Sequence, residues 1–168
     1  GPIETLVPMI AESLTIAVGC ILTIYIRNYP LITEPTTFKL QEFKKENGSD
    51  IIVIENLENY KFICKRLYII QSESKSDHGY HAHKKLGQIF ICIQGLVAIK
   101  IVGNKYNKTF KLSKINEGLF LPSGYWRELI VEKKTNLIVM ASETFLETDY
   151  IKNFEDYKKW VKNIAYVI

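Results

Sequence analysis

From Phe38 onward the chain is a succession of short β-branched and aromatic runs, each closed by turn residues. The runs are Phe38–Phe43, Ile51–Ile54, Phe62–Gln71, Gly79–His83, Gln88–Ile93, Leu96–Val102, Asn107–Leu112, Gly118–Leu121, Trp126–Val131 and Asn136–Ser142. Asn47-Gly48, Gln94-Gly95, Gly103-Asn104, Asn116-Glu117-Gly118 and Pro122-Ser123-Gly124 punctuate them. Strands this short, at this spacing, predict an antiparallel sandwich or barrel. Only the stretch from Asp149 to Val161 breaks the pattern. There Tyr150, Phe154, Tyr157 and Val161 recur at three- and four-residue steps, predicting one short C-terminal helix with Asp149 as its cap.

Ahead of this region, Leu14 to Ile26 reads LTIAVGCILTIYI, uncharged between Glu12 and Arg27. It is shorter than the roughly 20 residues a membrane-crossing helix needs. Its bulky residues fall on Leu14, Ile16, Val18, Leu22, Ile24 and Ile26, the alternation of a strand. No basic segment precedes it, so it does not read as a signal peptide. Residues 1–36 are therefore expected to form an N-terminal extension with an apolar strand, and residues 37–168 a single domain. An apolar strand of this kind must cover something, and a second copy of the chain is the expected partner, giving a homodimer.

The net charge is only +4, and just three of the 22 basic residues are Arg, so neither a nucleic-acid surface nor a membrane surface is indicated. Lys105, Lys108, Lys111 and Lys114 read as solvated faces. Cys20, Cys64 and Cys92 are far apart, odd in number and set in apolar runs. They predict buried free thiols in a reducing, cytoplasmic setting.

All three histidines lie within His78-Gly79-Tyr80-His81-Ala82-His83. His81 and His83 are two apart, so a strand projects both from one face, where two imidazoles can bind a metal or move protons. The sequence His81-x-His83, then Gln88, then Gly95 resembles the first cupin motif, with Gln where metal-binding cupins carry Glu. Gly118 with Pro122-Ser123-Gly124-Tyr125-Trp126-Arg127 resembles the second, with Arg where the usual His ligand stands. A divalent ion beside Arg127 would meet repulsion and lack anionic partners, so no metal is expected.

The resemblance narrows further. Lys65-Arg66-Leu67-Tyr68-Ile69, Gly79-Tyr80-His81-Ala82-His83-Lys84-Lys85-Leu86-Gly87-Gln88, Gly118-Leu119, Pro122, Trp126, Ala141-Ser142 and Glu147-Thr148-Asp149-Tyr150-Ile151 together are similar to the sugar-nucleotide 3,4-ketoisomerases. These are cupins related to the C-terminal part of bifunctional ketoisomerase/acetyltransferases. The chain departs from the family's usual residues at His78 (Arg), Ile69 (Tyr), Arg127 (His) and Phe145 (Tyr). The resemblance implies an all-β fold, the double-stranded β-helix or jelly-roll barrel, carrying a short C-terminal helix. It also implies cofactor-free isomerisation of a nucleoside-diphosphate 4-keto-6-deoxyhexose, typically the dTDP-glucose derivative, to the 3-keto sugar, in the deoxysugar biosynthesis that feeds O-antigen or other surface polysaccharides.

That reaction needs a base for the C3 proton, a stabilised enediol(ate) and a proton returned at C4. On this reading one of His81 and His83 is the shuttle and the other orients it or polarises the sugar oxygen. Tyr68 adds a phenol. Arg66, His78, Lys84, Gln88, Trp126 and Arg127 are expected to contact substrate, with Arg66 and Lys84 facing diphosphate and Trp126 the base. Two other readings remain at this point. One is a non-catalytic sugar-nucleotide-binding cupin or partner protein. The other is a 3,5-epimerase, which would pair a His with a carboxylate, Asp77 being the nearest.

Overall fold

The computed structural model describes residues 34–165, so the apolar run Leu14–Ile26 and Cys20 lie outside the described residues. Twelve strands precede one helix among them: β1 (Thr36–Lys39), β2 (Gln41–Lys44), β3 (Asp50–Val53), β4 (Arg66–Ser72), β5 (Ser76–His83), β6 (Gln88–Gln94), β7 (Val97–Val102), β8 (Asn107–Leu112), β9 (Glu117–Leu121), β10 (Trp126–Val131), β11 (Thr135–Ala141), β12 (Tyr150–Ile151) and α1 (Phe154–Ala165). Two five-stranded antiparallel sheets, ordered β1-β9-β6-β11-β4 and β12-β5-β10-β7-β8, face each other as a jelly-roll barrel; β2 and β3 form a separate hairpin. No described helix is long and apolar enough to cross a membrane.

Period-two patterning explains where the core sits. On β7, Val97, Ile99 and Ile101 are fully buried while Lys100 between them is exposed; on β11, Leu137 and Val139 point inward. These side chains meet Phe90, Leu119, Leu129 and Val131 between the sheets. Strand β6 departs from alternation, because Ile89, Phe90, Ile91 and Cys92 are all buried. Its outer face is covered as well: Leu40 and Phe62 pack over Ile89, Ile91, Phe120 and Met140. A third cluster lies where α1 lays Tyr157 against Ala82, Trp126 and Ile151 on the outside of the second sheet.

Several sequence expectations are corrected. The run Phe38–Phe43 is two strands, because Leu40 turns inward and its N–H bonds the carbonyl of Asn116. The run Phe62–Gln71 begins as a strand only at Arg66; Leu57–Tyr60 forms a 3-10 turn that drops Phe62 into the outer cluster. Cys64 consequently precedes the strand and is exposed, whereas Cys92 is buried as expected. Helix α1 starts at Phe154, with Asn153 Oδ1 accepting from the N–H groups of Glu155 and Asp156. Tyr150 belongs instead to β12, and Asp149 is buried beside β5 rather than capping a helix.

Candidate active site

Strand β5 carries the histidines, but simple alternation would not present them correctly. Ser76 and His78 sit opposite Val131 and Leu129 and so share the barrel-facing side; an unbroken period of two would turn His81 and His83 outward. One extra residue resolves this. Glu128 pairs with Gly79 and Arg127 with His81, which leaves Tyr80 unpaired in a bulge. Gly79 takes φ 86° and Tyr80 φ 53°. A Cβ on Gly79 would lie 2.7 Å from the Arg127 carbonyl oxygen, so only glycine fits. Past the bulge, His81 and His83 face inward, and Ala82 faces the helix.

The same alternation separates Trp126 from Arg127 on β10. Arg127 points into the barrel at 3% exposure. Trp126 points the other way, into the cluster under α1, and its indole N–H bonds Glu128. The expectation that Trp126 stacks on a base is therefore corrected: its ring is packing for the helix.

Inside, one nitrogen of Arg127 serves both imidazoles. Nη2 donates to Nε2 of His81 at 2.5 Å and to Nε2 of His83 at 2.6 Å, while Nη1 donates to the His81 carbonyl at 3.0 Å. A guanidinium only donates, so both Nε2 atoms must accept. The ring protons are then on Nδ1, and each finds an acceptor: His81 Nδ1 donates to the Gly79 carbonyl at 2.6 Å, and His83 Nδ1 to Asp149 Oδ2 at 3.0 Å. Both rings are thus neutral Nδ1–H tautomers. Burial, reinforced by Arg127, pushes His81 down to about 3; burial, opposed by the Asp149 bond, takes His83 to about 4. Burial lowers even Arg127, to about 10. Both Nε2 lone pairs, the ones a metal would take, are engaged by a cation's donors.

Across the barrel, β4 supplies Tyr68 and β6 supplies Gln88, whose amide donates to the Tyr68 oxygen at 3.0 Å. The Tyr68 hydroxyl hydrogen is left to point elsewhere. Burial raises the Tyr68 pKa, with Arg127 and Arg66 offsetting part of the rise. The other amide atom, Gln88 Oε1, is buried without a partner, and so is Arg66 Nε. The Arg66 guanidinium lies 5.2 Å from the Tyr68 ring centre and 5.9 Å from that of Phe145. Among the described residues, neither Arg66 nor Arg127 has a carboxylate within ion-pair distance. The pocket therefore sets two guanidinium groups against one carboxylate, Asp149, which His83 engages, a net positive setting that favours an anionic ligand.

Two expected residues stand apart. His78 bonds Ser76 Oγ at 3.1 Å, at the far end of β5. Lys84 is exposed, its ammonium bonding the Thr148 carbonyl at 2.9 Å at the outer side of β12. Asp77 is exposed and joins no histidine; the carboxylate that pairs with one is Asp149. Asp149 also accepts from the N–H groups of Lys85 and Leu86, and these bonds with that from His83 outweigh burial to hold its carboxyl below the usual range. The Tyr150 ring covers both imidazoles, its centre 4.7 Å from that of His81 and 4.3 Å from that of His83. Sequence spacing does not reveal either role, because 66 residues separate Asp149 from His83.

Comparison with known proteins identifies relatives of this barrel. QdtA, a sugar 3,4-ketoisomerase from Thermoanaerobacterium thermosaccharolyticum solved in complex with TDP, is 31% identical over 79% of this chain and 98% of its own, with a TM-score of 0.71. Variants of it have been solved too. One is a double variant, tyrosine to arginine and arginine to histidine, with TDP; another, histidine to asparagine, holds TDP-4-keto-6-deoxyglucose. The TDP-4-oxo-6-deoxy-alpha-D-glucose-3,4-oxoisomerase of Aneurinibacillus thermoaerophilus is 29% identical over 130 residues, 75% of this chain and 94% of that protein. A 3,4-ketoisomerase from Helicobacter canadensis is 28% identical over 77% of this chain and 98% of its own, with a TM-score of 0.70. The model of one family matches residues 33–162, nearly the whole described barrel and helix, and the chain belongs to that family: FdtA, the WxcM-like C-terminal domain.

Proposed function

We propose that the pocket converts a nucleoside-diphosphate-linked 4-keto-6-deoxyhexose, TDP-linked as in the relatives, into the 3-keto sugar without a cofactor. One observation carries the reading: two neutral imidazoles aim unprotonated Nε2 atoms at a single point in a cationic pocket. His81 is the base. It lies 46 residues before Arg127, the same interval that separates the altered histidine from the exchanged arginine in the QdtA variants. The matching interval supports reading Arg127 as the counterpart of that arginine, which would place it within the family's range although the sequence motif carries His there.

The C3–H bond breaks, its proton goes to His81 Nε2, and its electron pair forms C3=C4 while the carbonyl π pair moves onto O4. The 3-hydroxyl proton then passes to O4, C3=O forms, and the double-bond pair takes the proton back from His81 at C4. C3 is oxidised and C4 reduced, and nothing leaves the sugar. His83, locked by Asp149 as an Nδ1–H tautomer, can accept the 3-hydroxyl hydrogen but has no Nε2–H to offer O4. Polarising the sugar oxygen is therefore not its task. Arg66, with a buried unpartnered Nε, faces the diphosphate, and Gln88 Oε1 accepts a sugar hydroxyl.

The test is incubation with TDP-4-keto-6-deoxyglucose in deuterated water after chelation. Formation of the 3-keto sugar is expected, its C4 hydrogen being protium where His81 returns the abstracted proton directly and deuterium where that proton first exchanges with solvent; tight binding with neither product nor exchange sinks the reading and selects a binding protein. The buried His83–Asp149 pair also favours 3,5-epimerisation as a second reading, which deuterium at C5 would select.

Residues 37–168 form the catalytic domain on this proposal, and residues 1–36 serve assembly. The assembly is a homodimer, supported by Ile63, Leu67 and Ile69, which are 75%, 55% and 51% exposed at and just before the edge strand β4. Light scattering on the chain lacking residues 3–30 checks the extension's role; an unchanged dimer removes it. The free Cys64 and Cys92 support a reducing, cytoplasmic location.

A further inference from the structure

The reaction proposed above leaves one task unassigned, holding the negative charge that develops on O4. The donors that can reach into the pocket are few. Both Nε2 atoms are acceptors, and one Gln88 amide N–H already bonds Tyr68. The other donors around the imidazoles are the Tyr68 and Tyr150 hydroxyls, Arg66 at the β4 end, Lys152 and Arg127. Of these, Arg127 is the most deeply buried, has no carboxylate partner among the described residues, and is the one group bonded to both bases.

We propose that Arg127 is the oxyanion-binding residue of this site, resting on the two imidazoles in the free protein and shifting its Nη2–H donors onto O4 of the substrate. The logic is steric and electronic at once. A base whose lone pair is bonded to a guanidinium cannot take a carbon-bound proton, so Nη2 must leave His81 before C3–H is broken. The acceptor that replaces His81 must lie within hydrogen-bond reach of Nη2, hence close to Nε2. O4 meets that condition, because it is bonded to the carbon next to C3. As the π pair moves onto O4, this hydrogen bond becomes charge-assisted inside a water-poor barrel, where it is strongest. Binding the ketone and unmasking the base are then one movement.

Burial keeps the imidazoles unprotonated before substrate arrives, and the same contact with Arg127 reinforces it. The groups facing the imidazoles are Arg127 from β10, Arg66 and Tyr68 from β4, Gln88 from β6, Asp149 and Tyr150 from the β12 side, and Lys152 beyond it. Only Asp149 among these is anionic, and it is bonded to Nδ1 of His83, not to Nε2.

The inference rests on the ketoisomerase reading, and the experiment separates the two. Arg127→Met and Arg127→Lys are assayed with TDP-4-keto-6-deoxyglucose, and histidine nitrogens are followed by NMR in ligand-free protein over pH 4–8. For Arg127→Met, kcat falls by about 10²–10³, the scale for losing one oxyanion donor, with KM changed less than about threefold. Arg127→Lys recovers part of kcat. In wild type both Nε2 atoms stay unprotonated to near pH 4; in Arg127→Met both histidines titrate closer to 6.5, and kcat/KM gains an acid limb there. A wild type that turns over no such sugar fails the function reading itself. An active wild type whose Met variant keeps its kcat, or loses only KM, overturns the role of Arg127. The wild-type spectra need no variant to fold: protonated Nε2 at neutral pH overturns the proposal by itself.

Discussion

Replacing Asp149 with Asn removes one charge and adds two hydrogens while keeping shape. The carboxylate now accepts three bonds: His83 Nδ1 at 3.0 Å and Leu86 N–H at 3.4 Å on Oδ2, and Lys85 N–H at 2.8 Å on Oδ1. An amide has one oxygen for these two sides. If that oxygen keeps Lys85, the NH2 opposes the His83 Nδ1–H; if it keeps His83, the NH2 opposes the Lys85 N–H. His83 can escape the first conflict by moving its proton to Nε2, but that hydrogen then confronts Nη2 of Arg127. Every arrangement leaves a buried donor facing a donor, which costs about 2–3 kcal/mol. For a chain of this length that lowers Tm by roughly 4–12 °C. Activity falls further than stability, on the order of 10² or more in kcat, because the wrong tautomer disables the acceptor. Differential scanning calorimetry and turnover of TDP-4-keto-6-deoxyglucose, with Asp50→Asn on the exposed β2–β3 hairpin as control, test this. A variant with wild-type Tm and kcat would refute the claim that Asp149 fixes the His83 tautomer.

Three further outcomes follow. His81→Asn and His83→Asn each lower kcat at least about a hundredfold with the fold retained by circular dichroism, and wild-type rates in both would move the chemistry elsewhere. Gly79→Ala places a methyl 2.7 Å from the Arg127 carbonyl at a φ of 86°, so it lowers Tm and kcat together; urea melts and turnover of a soluble variant with neither change would contradict the bulge argument. His83 has a folded pKa below its unfolded value. Its contribution to stability is therefore complete above pH 6.5 and is lost as pH falls toward about 4, at up to about 1.4 kcal/mol per pH unit. Urea titrations at pH 7, 5.5 and 4.5 that give equal stability would exclude this.

Much of the barrel was legible because period-two patterning survives wherever one face of a strand meets the core, as on β7 and β11. The pattern failed where local geometry overrode it. Leu40 splits an apolar run by turning inward, and Phe62 is buried by a turn rather than a strand, which left Cys64 exposed. The histidines were legible by spacing, yet the bulge that absorbs Tyr80 and so keeps them on the same face as His78 is not marked by composition. Trp126 and Arg127 illustrate a different limit. Adjacent residues on a strand serve opposite faces, and the motif that joined them in sequence could not say which face held the pocket. Asp149 stood in the resembling segment but was assigned no role beyond a helix cap, since its partner is brought to it by β12 pairing with β5.

The bulge on β5 has an implication for how such a site can be altered genetically. A deletion of the Tyr80 codon would rejoin Gly79 to His81 and restore unbroken alternation, with Ser76, His78, His81 and His83 all still facing the barrel. The inside–outside pattern therefore does not require the additional residue. What it supplies is the Gly79 carbonyl two positions back, turned onto His81 Nδ1 at 2.6 Å. A single three-base deletion would yield a barrel of regular β5, relieved of the left-handed backbone at Tyr80, in which Arg127 alone holds the His81 tautomer. The two versions differ by one codon, and the longer one holds the His81 ring from both sides, Nε2 by Arg127 and Nδ1 by the Gly79 carbonyl.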